Sequence, residues 1–396
     1  MATPSRRATG PWVLVVGMHR SNTSALTGML AGLGLALPPA ADLVEGNPDN
    51  PVHYESNALI GLDDRLLRAV DGWWDGPPTL ADGWQDDPVV TGFDDEALAT
   101  LDRVYGTPGP KVWKDPRLCL LLPYWLRLLD DPVPAVFVWR SPAEVADSLH
   151  RRDASARHLG LALWSAYNRA ALAALAGRPV HVVESGQLLD LPTATAETLA
   201  EWLDGQGIRP ARPGGWDVAK ASAVVAPELA RRAGHLEDAV PPEFAAMADQ
   251  LRELSGTHTA LPTIHFGQDP PWATDVLDLH RRLIDARDRM SELSQGITVL
   301  STDHHALIAD WEELTAAHHR LTEDRAAADV EFARLGSELA RLGSELARLR
   351  HERDVATSYA ERVELELERV RASASWRITA PLRRIGSRAP VDGDAQ

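Results

Sequence analysis

The sequence predicts an α/β protein, with a central, largely parallel sheet flanked by helices and then a long helical coiled coil. Three observations carry that expectation. Short apolar runs rich in Val recur in the first half of the chain, helix-length stretches separate them, and from residue 276 a 3.5-residue apolar period takes over.

Residues 12–18 (WVLVVGM) form a continuous apolar run, as a parallel strand covered on both faces requires. Further strands are expected at 111–114 (KVWK), 135–139 (AVFVW) and 180–183 (VHVV). Helices are expected at 119–129, 142–152, 158–176 and 194–203. The Pro/Gly-rich stretch 205–215 opens a peripheral segment. The resulting organisation is an α/β domain over 1–254, a linker over 255–274, a coiled coil over 275–371 and a basic tail over 372–396.

Alternating steps of three and four from Val276 reach Leu279, Leu283, Ala286 and Met290, and the same phase runs on through Leu314 and Leu339 to Val370. Only His304, His318, Arg325 and Arg353 interrupt it. One continuous helix over this span would extend about 140 Å. The heptad ARLGSEL occurs in tandem at 333–339 and 340–346, where Gly336 and Gly343 each cost about 1 kcal/mol of helix stability relative to Ala. Self-association through 276–370 as a dimer or trimer is expected. The alternative is a long helix folded back on the globular domain. His304/His305 and His318/His319 stand two heptads apart, where polar residues set register rather than hold a metal.

A net charge of −17 over 396 residues excludes a general nucleic-acid binder. It leaves room for a local cation cluster that binds a small anion. Cys119 is the only cysteine, so neither an intrachain disulfide nor a cysteine metal cage is available, and no metal is expected. The 12–18 run is too short for a membrane span and lacks a cleavage region, so no signal peptide is expected and the location is read as cytoplasmic.

The turn after the first strand reads Gly17-Met18-His19-Arg20-Ser21-Asn22-Thr23-Ser24. A strand-to-helix turn of this kind presents backbone N–H groups and a positive helix end to a phosphate. Aligned with a nucleoside-triphosphate loop, GxxxxGK[ST], it has Asn22 at the second Gly and Thr23 at the Lys. The group that reaches the terminal phosphates is missing, which disfavours a nucleotide kinase. Arg20 instead stands ahead of a run of hydroxyls. This resembles the 5'-phosphosulfate loop of sulfotransferases that use PAPS (3'-phosphoadenosine-5'-phosphosulfate), above all the bacterial form GMHRSGTS. The resemblance implies a PAPS site over Arg20, Ser21, Asn22, Thr23 and Ser24. Asn22 departs from the family's Gly. Asn tolerates left-handed backbone, so the loop shape is expected to survive, but its side chain would crowd the phosphate.

Residues 136–148 (VFVWRSPAEVADS) place Arg140 at a strand end and Ser148 two turns into a helix. This resembles the family's 3'-phosphate element, and an Arg fork there suits phosphate oxygens. The bland alternative is a surface ion pair and a solvent-facing Ser. A third element, Val112-Trp113-Lys114-Asp115-Pro116-Arg117, resembles the Lys-Asp-Pro element of tyrosylprotein and bacterial sulfotransferases, which implies Lys114 near the bridging oxygen. The resemblance spans residues 12–150 and extends weakly to about 205 through Trp164-Ser165-Ala166-Tyr167 and Val182-Val183-Glu184. The RKG motif of cytosolic members is absent.

The family further implies a carboxylate base, for which His53-Tyr54-Glu55-Ser56-Asn57 offers Glu55, with His53 as runner-up and Glu45 as a solvated third. The catalytic set is then Glu55, Lys114 and Arg20, with PAP as product. Trp73, Trp74 and Trp84 read as core cover ahead of a sugar-stacking surface. In the tail, Arg369, Arg371, Arg377, Arg383, Arg384 and Arg388 alternate with Trp376, Ile378, Leu382 and Ile385, which suits an anionic membrane leaflet. The stretch SASWRITAPLR also resembles tails that follow coiled coils in bacterial glycan-assembly proteins. A disordered basic tail is the alternative. The implied acceptor is a hydroxyl of a glycan, glycolipid or small molecule, in cell-surface polysaccharide biosynthesis at the inner face of the membrane. The competing reading is an inactive scaffold that organises a glycan-assembly complex.

Overall fold

The computed structural model describes residues 7–46, 51–130, 132–210, 214–225, 240–313 and 318–374. The chain divides into two compact units, Met1–Arg281 and Arg282–Gln396.

The first unit is built on the expected parallel sheet. Its strands are β1 (Trp12–Val16), β2 (Lys111–Lys114), β3 (Ala135–Trp139), β4 (Val180–Glu184) and β5 (Gly256–His258), in the order β2-β1-β3-β4-β5. The first four run parallel, with Val15 opposite Lys114, Val16 opposite Phe137 and Trp139 opposite Glu184. β5 pairs antiparallel with β4. It lies inside the stretch read from the sequence as a linker. That stretch is further tied to the unit at Asp269, which accepts from Ser165 at 2.8 Å and pairs with Arg169 at 2.7 Å.

The helices are α1 (Thr23–Leu33), α2 (Asn57–Ala69), α3 (Pro88–Thr91), α4 (Asp94–Tyr105), α5 (Leu118–Leu128), α6 (Pro142–Asp153), α7 (Arg157–Leu175), α8 (Ser185–Asp190), α9 (Pro192–Gly205), α10 (Val218–Ala223), α11 (Pro242–Glu253), α12 (Pro271–Glu313) and α13 (His318–Ala372). Side chains alternate across the sheet and bury both faces. Trp12, Leu14, Val16, Phe137 and Trp139 join one core with α2, α4, α5, α7 and α11. Val13, Val15, Val136, Val138 and Val183 join a second with α1 and α9.

In the second unit α12 is described as far as Glu313 and α13 from His318. Arg282 meets Glu352 at 3.7 Å, and Ala286 and Met290 face Leu342 and Leu346 across a small gap. Rising numbers on α12 therefore meet falling numbers on α13, so the two helices form an antiparallel hairpin. Part of the apolar seam is satisfied within the chain. The hairpin opens further out, where every described side chain of 294–302 and 328–334 is exposed. Among the described residues no helix is long and apolar enough to cross a membrane. The basic tail beyond residue 374 lies outside the described residues, as do the side chains of His304, His305, His318 and His319.

Candidate functional site

The crossover from β1 leads to β2 on one side, and the next, from β2, passes back to β3 on the other side of β1, so the carboxyl ends of β1 and β3 border a topological switch point. Gly17 carries the chain past β3 there; a Cβ would lie 2.4 Å from the Val138 carbonyl oxygen. The turn then takes left-handed backbone at Arg20 (φ 68°) and Asn22 (φ 63°), a form in which N–H groups converge on an anion. Asn22 is the N-cap of α1, yet its side chain makes no capping hydrogen bond and the first turn carries no acid. By contrast, Ser56 caps α2, Asp87 caps α3 and Asp217 caps α10. The α1 N-terminus thus lacks the usual cap from its own N-cap residue, as suits a helix end that binds anions.

Three further elements reach this turn. Arg20 Nε donates to Ser148 Oγ at 2.8 Å, and Arg140 donates to the Arg20 carbonyl at 3.2 Å. Arg140 also pairs with Glu144 at 3.2 Å, and its own carbonyl accepts from the buried Trp164 indole at 2.8 Å. Ser148 therefore meets Arg20 and is buried rather than facing solvent. From β2, the buried Lys114 Nζ donates to Ser24 Oγ at 3.2 Å and to Glu55 Oε1 at 2.5 Å. Glu55 is held in place by its backbone, whose carbonyl accepts from Val44 N at 2.9 Å just ahead of α2.

Arg20, Ser24, Glu55 and Arg140 border one cleft of about 470 Å³, while the buried Lys114 and Ser148 stand behind them, outside its lining. Arg20, Arg117, Arg140 and Arg152 line it, with Glu55 and Asp153 as its carboxylates. An acidic chain thus concentrates cations at one sheet edge. Asn22, Thr23, Ser24 and His53 also line the cleft. Ser21 is fully buried and is not part of the lining, and its backbone N–H donates to the Met18 carbonyl at 3.2 Å.

Arg117 joins the site without a role assigned from the sequence, although it closes the Lys-Asp-Pro element. It pairs with Asp64 at 2.6 Å and Asp115 at 3.2 Å. Burial opposes its charge, but the Asp115 and Asp64 carboxylates overcome this and hold its pKa above the ordinary guanidinium value. Asp115 also accepts from the Arg117 backbone N–H at 2.8 Å. Beneath it, burial and then the Asp115 charge push the Asp63 carboxyl well above the usual range, against a hydrogen bond from Trp125.

Arg152 and Trp74 also line the cleft. The Trp74 ring has His19 at 4.9 Å and the Arg152 guanidinium at 4.9 Å, so chain groups occupy its surroundings. Arg68 covers Trp73 at 5.5 Å, and Trp84 packs on the core. Burial, reinforced by Arg117, Arg152, Lys114 and Arg20, holds the His19 pKa well below the ordinary imidazole value. Burial lowers that of His53 as well, against the pull of Glu55. Among the described residues no group of three or more His, Cys, Asp or Glu is placed to hold a metal.

Two solved sulfotransferase domains resemble this chain. One, from the Synechococcus PCC 7002 olefin synthase, is 19% identical, with 70% of this chain and 96% of that domain covered and a TM-score of 0.34. The other, from the curacin biosynthetic pathway, is 16% identical, with 62% and 98% covered and a TM-score of 0.38. No protein-family model matches, and no curated protein does. At these values the functional reading rests on the cleft itself.

Proposed function

We propose that the chain is a sulfotransferase that takes PAPS as donor and passes its sulfuryl group to a hydroxyl of a glycan, glycolipid or small-molecule acceptor in cell-surface polysaccharide biosynthesis. The observation that carries this reading is the convergence, at one switch point, of a helix end without a cap from its own N-cap residue, Arg20 with Ser148, Arg140, and the Lys114–Glu55 pair. PAPS would supply an activated sulfuryl group on a leaving phosphate. Arg140 would hold its 3'-phosphate, and Arg20 with the N–H groups of the turn its phosphosulfate. Lys114 Nζ, shared between Ser24 and Glu55, would turn to the oxygen on which charge develops. Glu55 would then be released to take the acceptor proton as the acceptor oxygen bonds to sulfur and PAP departs.

The finer expectations belong to the same proposal. The exposed heptad residues Met290, Ile297, Leu300, Phe332 and Leu339 support self-association through 276–370. The basic tail would hold the protein at the cytoplasmic face of an anionic membrane or in a glycan-assembly complex; deleting 371–396 should then abolish binding to anionic liposomes.

The test is calorimetric titration of the full chain with PAP and with ATP, alongside Arg140→Ala. Tight PAP binding, unmatched by ATP and weakened about 100-fold in the variant, is expected. Absence of PAP binding overturns the proposal and leaves the scaffold reading.

A further inference from the structure

Asn22 stands where a loop of this type has Gly, and its surroundings show how the side chain is accommodated. The backbone is left-handed at φ 63° and ψ 28°, a conformation that Asn enters more readily than other side chains. That leaves the amide, which projects from a residue lining the cleft. Asn22 Nδ2 donates to Ser185 Oγ at 2.7 Å. Ser185 is 2% exposed and begins α8, directly after Glu184 at the end of β4. Glu184 pairs in register with Trp139, the residue before Arg140. The partner of Asn22 therefore comes from the same sheet edge that carries the rest of the site, 163 residues away in sequence.

We infer that Ser185 is a positioning residue. It clamps the Asn22 amide against the β4–α8 corner, so that the turn keeps its anion-binding backbone although a side chain has replaced a hydrogen. A loose amide in a left-handed N-cap would sample positions over the Thr23 N–H at the start of α1 and compete with a ligand there, whereas the Ser21 N–H is already committed to the Met18 carbonyl at 3.2 Å. A clamped amide leaves the start of the helix to the ligand and stiffens the turn. Asn22 and Ser185 thus act as a pair, and Ser185 matters only while residue 22 has a side chain to hold. The inference rests on the anion-binding role proposed for the turn.

The test is a double-mutant cycle in the full chain with wild type, Ser185→Ala, Asn22→Gly and Asn22→Gly/Ser185→Ala, plus Ser185→Thr. PAP affinity is read by calorimetry, and the mobility of the turn by hydrogen exchange of the peptide spanning 17–26. Ser185→Ala should weaken PAP about five- to tenfold, the loss expected for one directing hydrogen bond, and should speed exchange in the turn. In the Asn22→Gly background the same substitution should change neither readout by more than about twofold. Ser185→Thr, which keeps the hydroxyl, should recover most of the affinity. Equal effects of Ser185→Ala in both backgrounds, or none in either, overturn the clamp. If wild type fails to bind PAP, the functional proposal falls, and the exchange cycle still decides whether Ser185 restrains Asn22.

Discussion

In the cleft, Lys114 reaches Glu55 across 59 residues of sequence, and Arg20 reaches Ser148 across 128. In the hairpin, Arg334 pairs with Glu331 and Glu338, and Arg348 with Glu352, each three or four residues away. The first set is withdrawn from solvent, with Lys114 and Glu55 side chains 1% and 13% exposed. The second is wet, and such pairs contribute little to stability. The two regions use charge for different ends. Cross-element polar contacts at low exposure fix groups relative to one another, as chemistry requires. Local pairs on a helix surface keep the helix soluble and leave its apolar stripe to choose the partner.

The largest effect separating the two uses is expected from Lys114→Met. Removing the ammonium should cut turnover, read as PAP release, about 1000-fold. It should also cost about 3 kcal/mol of stability, because Glu55 is left partly buried without its partner. Glu55→Gln alone should lower turnover about 100-fold or more with PAP affinity within about twofold. The Lys114→Met/Glu55→Gln double variant should recover most of the stability and none of the turnover. Recovery of both would make the pair a packing feature and transfer the base role away from Glu55, to His53.

A smaller effect is expected where a buried titratable group lies away from the cleft. His181 on β4 meets Thr257 Oγ1 of β5 at 2.9 Å. Burial, and then the nearby His258, lower its pKa to about 4 from the ordinary imidazole value of 6.5. A histidine depressed in this way favours the folded state above the unfolded pKa, and the advantage is lost as pH falls. Chemical denaturation should therefore show about 3 kcal/mol of stability disappearing between pH 6.5 and pH 4. His181→Asn should flatten that part of the profile. An unchanged slope in the variant would assign the acid sensitivity to other groups, among them His19 in the cleft.

The same contrast explains what can be read from residues alone. Four of the strands, and the positions of Gly17, Arg20, Lys114 and Arg140, are local signals at strand ends, so they are legible. Arg152 reaches the cleft, and Ser185 reaches Asn22, only through tertiary packing, and nothing in their own neighbourhoods marks them; Trp74 stands out in the sequence, but its place in the cleft does not. Arg117 does carry a signal, since it closes an element whose Lys stands out in the sequence. β5 is three residues, Gly-Thr-His, at the sheet edge, with no apolar alternation to reveal it. The pairing of α12 with α13 escapes for the opposite reason. The heptad phase is the same on both helices, and an apolar period specifies a seam without saying whether the partner helix is the same chain or another.

That ambiguity sets the last and smallest expected effect on the cleft. Ile297 and Phe332 are 37% and 70% exposed, on the part of the hairpin where α12 and α13 no longer cover each other. Neither supports the core of the hairpin, so Ile297→Asp/Phe332→Asp should cost little folding stability. Sedimentation velocity should find wild type well above its 43.2 kDa chain mass and the double variant close to it. PAP affinity should stay within about twofold, because the substitutions share no partner with Arg20, Lys114 or Arg140. Equal masses for the two proteins would show that this apolar stripe does not carry self-association. A large loss of PAP binding would instead tie the cleft to assembly, and the separation drawn between local and cross-element charge would no longer describe two independent regions.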